Sequence, residues 1–147
     1  MDEEYEEIEE KPRMIKVIVK QPNGDPEIKE VPNAYEEMAE FCHGFIGMGE
    51  MPFNRRINYI VNDSSLVNGM EPNIVLPEYE NLIAGPVIFA GNDDEGNTIS
   101  LTDEQIEKVM KYIGRNQVFY LSMEGAYIYM MSMSSGFEKE KELEMEV

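Results

Sequence analysis

The chain has 147 residues, 42% of them hydrophobic and 10% aromatic, enough for one packed core and too few for two ordinary domains. Its formal charge at pH 7 is -18, and residues 14–137 alone hold 18 acids against 8 lysines and arginines. Gripping nucleic-acid phosphates needs clustered basic side chains, so direct DNA or RNA binding is excluded.

Residues 1–13 open on MDEEYEEIEE, a run of like charge with too little apolar surface to offset its ordering entropy, and are expected as a disordered acidic arm. They show neither the basic patch nor the apolar run of an export signal. MIKVIVK then alternates: Ile15, Val17 and Val19 share one face, and Lys16, Ile18 and Lys20 the other, as in a half-buried strand. Asn23-Gly24 supplies a hairpin turn, with EIKEV as the returning strand. Asn33 stands at a helix N-cap position with Glu36 three residues on, and the apolar stripe Tyr35, Met38, Ala39, Cys42, Phe45 and Ile46 predicts a helix over about 33–46.

Cys42 is the single cysteine, so no internal disulfide or cysteine-based zinc site can form, and a cytoplasmic, reducing location inside a host cell is expected. GFIGMGEMPFN is expected as an irregular connection, and RINYIVN as a third strand. Residues 63–82, rich in Asn, Ser, Pro and Gly, read as a long loop, LIAGPVIFAG as a buried strand, and GNDDEGNT as a hairpin turn into TISL. SLTDEQIEKVMKYIG carries the clearest local signal. Thr102 and Gln105 make a capping box, Leu101 staples onto Ile106, and the stripe Ile106, Val109, Met110 and Ile113 predicts a helix over about 103–113, with Gly114 as its stop.

QVFYLSM and AYIYMMSM flank Glu124-Gly125 as a C-terminal hairpin within residues 114–137, followed by a charged tail over 138–147. That region is interrupted well short of the ~20 apolar residues of a membrane span, so no membrane association is expected. Its second strand would place Tyr127, Tyr129, Met131 and Met133 on one apolar face, which suits an interface in a homo-oligomer. The fold expected is α+β: a small, mostly antiparallel sheet of about five to seven strands with two packed helices.

Taken in order, IKVIVKQPNGDPEIKEV, the helix ending in CHGFIGM, YIVND with Gly69 and EPN downstream, LIAGPVIFAGNDDEG and SLTDEQIEKV resemble an uncharacterised domain-of-unknown-function family of bacteriophages and bacterial mobile elements, over about residues 14–113. The resemblance implies a small α+β domain and a phage or mobile-element setting. It transfers no catalytic residue.

The residues themselves offer little catalytic chemistry. Cys42 and His43 are neighbours on a helix, so their side chains diverge by about 100° and cannot act as nucleophile and base. Counted from Asn92, the acidic turn puts Gly96 fifth and Asp103 twelfth where a calcium loop needs glycine sixth and glutamate twelfth, so no metal site is expected. No cofactor motif is present, and a binding protein is expected rather than an enzyme. Arg55-Arg56, beside Asn58, are placed to grip a phosphate or carboxylate, or else to offset nearby acids as a surface pair. Asn62, Asn68 and Asn73 in the following polar segment are explained first by turn formation and second as parts of a pocket. Two functions follow. One is sequestration of a small anionic, nucleotide-like signal, countering host defence; the alternative is an acidic nucleic-acid mimic that binds and inhibits a host DNA-binding defence protein.

Overall fold

The computed structural model describes residues 11–123 and 126–131. Strands β1 (Met14–Lys20), β2 (Glu27–Pro32), β3 (Ile46–Met51), β4 (Asn54–Asn62), β7 (Val87–Asn92) and β8 (Thr98–Ile99) form one sheet in the order β2-β1-β7-β4-β3. Every pairing in it is antiparallel, and β8 pairs the end of β7. Two ribbons stand apart, β5 (Pro72–Leu76) with β6 (Asn81–Ala84), and β9 (Val118–Met123) with β10 (Ala126–Met131). With helices α1 (Tyr35–Cys42) and α2 (Asp103–Asn116), this is the α+β architecture expected.

Both faces of the sheet are covered. On one, Met38 and Cys42 of α1 pack on Ile15, Val17, Val19, Ile60, Ile88 and Ala90. On the other, Val109, Tyr112 and Ile113 of α2 join Ile74, Leu76 and Ile83 of the β5–β6 ribbon over Ile18, Ile57, Val87 and Phe89. β1 is therefore not half-buried: Ile18 and Lys20 are sealed beneath the ribbon.

Several expected boundaries move, each for a visible reason. α1 starts at Tyr35 with Ala34 at the N-cap and no side-chain cap. Asn33 instead donates its side-chain amide to the Thr98 carbonyl, tying the strand ends together. The helix stops at Cys42, not 46, because His43 turns left-handed (φ 65°) and the amide of Asn62 donates to the carbonyls of Cys42 and His43 at 3.0 and 3.1 Å.

GFIGMGEMPFN is not irregular; most of it is β3, whose glycines lie opposite large residues of β4, Gly47 against Val61 and Gly49 against Tyr59. A Cβ on Gly49 would fall inside the Tyr59 ring, so glycine is what lets the ring lie flat on the strand. The expected 63–82 loop contains β5 and a 3₁₀ turn (Pro77–Tyr79), and LIAGPVIFAG is split at Gly85-Pro86 between β6 and β7. α2 keeps its capping box and runs through Gly114 to Asn116.

Candidate functional site

A cavity of about 390 Å³ opens on the α2 side of the sheet where β3, the end of β4, the turn after it and β6 converge. Val61, Leu82 and Ile83 give it apolar walls, Tyr59 an aromatic one, and Asn62, Asp63, Ser64, Ser65 and Asn81 its polar groups. Burial raises the Tyr59 hydroxyl pKa, the neighbouring Tyr79 adds to this, and Asn81 counters it. The hydroxyl thus stays protonated at neutral pH, able to donate a hydrogen bond.

The turn that roofs the cavity is held by its own main chain. Asn62 Oδ1 accepts from the Ser64 N–H, while Ser65, Asn68 and Met70 N–H groups donate back to the carbonyls of Asn62, Ser64 and Ser65. Asp63 donates its N–H to the Phe45 carbonyl, extending the β3–β4 ladder, and lays its carboxylate over Gly47: a Cβ there would stand 2.8 Å from Oδ1. No lysine or arginine among the described residues pairs with that carboxylate. Leu66 and Val67 stand exposed on the rim.

The residues singled out from sequence do not form one site. Arg55 and Arg56 lie at the start of β4, about 20 Å along the strand from Val61 at ~3.3 Å per residue. Arg56 is ion-paired with Asp94, and Arg55 Nε lies 3.9 Å from Glu50. Asn58 accepts from the Asn92 amide at 2.9 Å, which also donates to the Arg55 carbonyl. Asn62 lines the cavity but spends its amide on closing α1. Asn68 is exposed in the turn.

Asn73 is far from it in role: buried, and the extra residue of a bulge in β5, it donates to the Lys20 and Gly85 carbonyls and accepts from Lys20 Nζ at 2.7 Å. Desolvation lowers the Lys20 pKa to about 8. Tyr127, Tyr129 and Met131 are spaced along β10, opposite Ser122, Tyr120 and Val118 of β9; Met133, the tail and the first ten residues lie outside the described residues.

Cys42 is buried and burial pushes its thiol up to about 12, so it is no nucleophile. The acidic turn is closed on itself: Asp93 accepts from the N–H groups of Glu95 and Asn97 and from the Asn97 amide. Among the described residues no group of three or more His, Cys, Asp or Glu side chains is set to hold a metal ion, and no helix is long and apolar enough to cross a membrane.

Sequence reasoning offered the polar segment after Arg55-Arg56 as its second explanation for a pocket, and the cavity meets that segment at Asn62; it missed the walls supplied by β3 and by Asn81 of β6, which were read as connection and loop. The available signal was period two: Gly47, Gly49 and Met51 alternate with Ile46, Met48 and Glu50.

The fold and cavity define a small α+β domain built on one two-faced antiparallel sheet. The chain belongs to the family described as Domain of unknown function (DUF3846), whose family model matches residues 15–114. No curated protein and no solved structure matches the chain.

Proposed function

We propose that this chain is a non-enzymatic binding protein, carried by a bacteriophage or other mobile element, that counters host defence by capturing a basic, DNA-binding defence protein. The observation that carries the reading is the charge of the cavity: it offers Asp63 and no lysine or arginine, in a chain of net charge -18. Such a surface attracts a cationic partner and repels an anion. The mobile-element setting rests on the family resemblance that the ordered motifs carry.

The other route expected from sequence, sequestration of a small anionic signal, needs a cation at the site. Arg55 and Arg56 would supply it, yet each already faces a carboxylate, and neither lines the cavity.

The chain, immobilised and exposed to host lysate, should retain a protein that binds DNA, and should release most of it between about 50 and 500 mM salt, as screening of a charged interface requires. Added chain should compete with DNA for that protein. Mass spectrometry of small molecules released from the purified chain decides the rival reading: a nucleotide that disappears in the Arg55→Ala, Arg56→Ala variant, with no basic protein retained, would overturn ours.

A further inference from the structure

We propose that β3 binds an extended, basic segment of its partner as an added antiparallel strand, with one lysine or arginine side chain crossing Gly47 into the cavity to meet Asp63. This rests on the reading that the partner is a basic protein, and specifies how it docks.

The two edges of the sheet are built differently. β2, EIKEVP, presents Glu27, Lys29 and Glu30 and ends in Pro32, the devices that discourage a further strand. β3, IGMGEM, has no lysine or proline and one acid. Among the described residues no strand pairs with its outer side, where Tyr35 Oη accepts from the Ile46 N–H. The Asp63 N–H donates to the Phe45 carbonyl at 2.8 Å, and the register places Gly47 opposite Val61 and Gly49 opposite Tyr59.

Antiparallel alternation then turns the N–H and C=O groups of Gly47 and Gly49 toward β4, and those of Ile46, Met48 and Glu50 outward. The Ile46 N–H meets Tyr35 Oη at 3.4 Å, which confirms the outward direction, and no strand among the described residues pairs on this side. Exposed apolar side chains flank the edge, Phe45 at 80% and Val67 at 90%.

Geometry and charge then name the occupant. A strand residue opposite Met48 shares the Met48 face, while its neighbours opposite Gly47 and Gly49 point to the cavity face. With no Cβ on Gly47, the Asp63 carboxylate lies directly over that residue, 2.8 Å from where a Cβ would stand, so a long side chain from the added strand meets the carboxylate with its head at Gly47. A second copy of this chain would bring another -18 against Asp63 and Glu50, whereas a basic segment is drawn in.

The test uses the full chain and a fluorescent nine-residue peptide that alternates threonine and valine around one central lysine. In the expected register, the lysine lies opposite Gly47 with its own N–H facing away from β3, and the two flanking residues turn theirs to Ile46 and Met48. N-methylation of both flanking residues should weaken binding about tenfold or more, the loss expected for two main-chain hydrogen bonds, while N-methylation of the lysine costs about threefold or less.

Norleucine for lysine, and Asp63→Asn in the protein, should each weaken binding about fivefold or more. The Met48 and Glu50 amides should slow in hydrogen exchange when peptide is bound. Equal loss from the two methylation patterns, or indifference to Asp63→Asn, would overturn the proposal, as would a dimer in light scattering that protects the same amides without peptide. If the peptide fails while the chain still retains a basic protein from lysate, the strand docking alone falls. If neither binds, the reading of a basic partner falls with it.

Discussion

At the scale of the residue, Lys20 and Asn73 form the least ordinary contact of the fold. A lysine at 1% exposure beneath a ribbon is costly unless its head group is satisfied, and here Asn73 supplies the acceptor at 2.7 Å while the Gln21 carbonyl lies at 3.2 Å. The bulge in β5 aims Asn73 at this job, and its amide closes the loop by donating to the Lys20 and Gly85 carbonyls. Asn73→Ala would strip one acceptor from a buried ammonium, and about 2–3 kcal/mol of stability should be lost in urea unfolding.

Titration gives a second test at the same residue. Desolvation lowers the Lys20 pKa from 10.5 to about 8, Asp25 opposing in part, so between those values the unfolded chain binds the proton that the folded chain has released. Stability should therefore rise with pH from about 8, the penalty of the buried charge being fully present below that and gone above about 10.5. Cys42 acts oppositely above its ordinary 9.0, since its thiol in the fold is pushed up to about 12. The clean window is thus pH 8 to 9, and Lys20→Met should abolish the rise there. A wild-type stability that is flat or falling across this window, relative to Lys20→Met, would contradict the assignment.

At the scale of the element, how well the sequence could be read followed how local the determining interactions are. The capping box of α2 is complete within four residues, the Gln105 N–H donating to Thr102 Oγ1 at 3.1 Å and the Thr102 N–H to Gln105 Oε1 at 2.9 Å, and the pairs Glu104–Lys108 and Glu107–Lys111 form as their spacing requires. Thr102→Ala should cost about 1 kcal/mol, measurable as a lower urea midpoint with an unchanged slope. The hairpins at Asn23-Gly24 and Asp93–Asn97 were legible for the same reason. β3 was not: its glycines have poor strand propensity, and what makes it a strand is its pairing with β4, where Gly49 lies opposite Tyr59 and is covered by that ring. Asn33 looked like a cap and Asn73 like a turn residue, because asparagine is suited to both; only the arrival of the Thr98 carbonyl and of Lys20 assigns them elsewhere. The candidate site suffered most, since the arginine pair was visible as a dipeptide while its partners come from elsewhere, Asp94 from the turn between β7 and β8 and Glu50 from β3. Only the Asn62 part of the cavity was legible, because its walls are assembled from three separate segments of the chain.

At the scale of the whole molecule, a net charge of -18 on 147 residues acts on the fold and on its partner with opposite sign. The few exposed ion pairs, such as Lys29 with Glu27 at 3.9 Å, are too weak to offset it. Within the chain, the excess acids repel one another, and unfolding lets them move apart, so the compact state is destabilised by its own charge. Salt screens that repulsion, the Debye length falling from about 30 Å at 0.01 M to about 10 Å at 0.1 M. The melting temperature at pH 7 should therefore rise with sodium chloride over this range, and the rise should shrink near pH 5, where some carboxylates take up protons. Between the chain and a basic partner the same screening removes attraction, so affinity should fall over the salt range that strengthens the fold. Measured side by side, the two slopes separate charge that binds from charge that merely keeps the chain in solution. Asp63→Asn should flatten the slope for binding while leaving that for melting almost unchanged, since one carboxylate among 30 contributes little to the overall repulsion. Equal shifts in both slopes would mean that Asp63 acts only as part of the general field, with no place of its own in recognition.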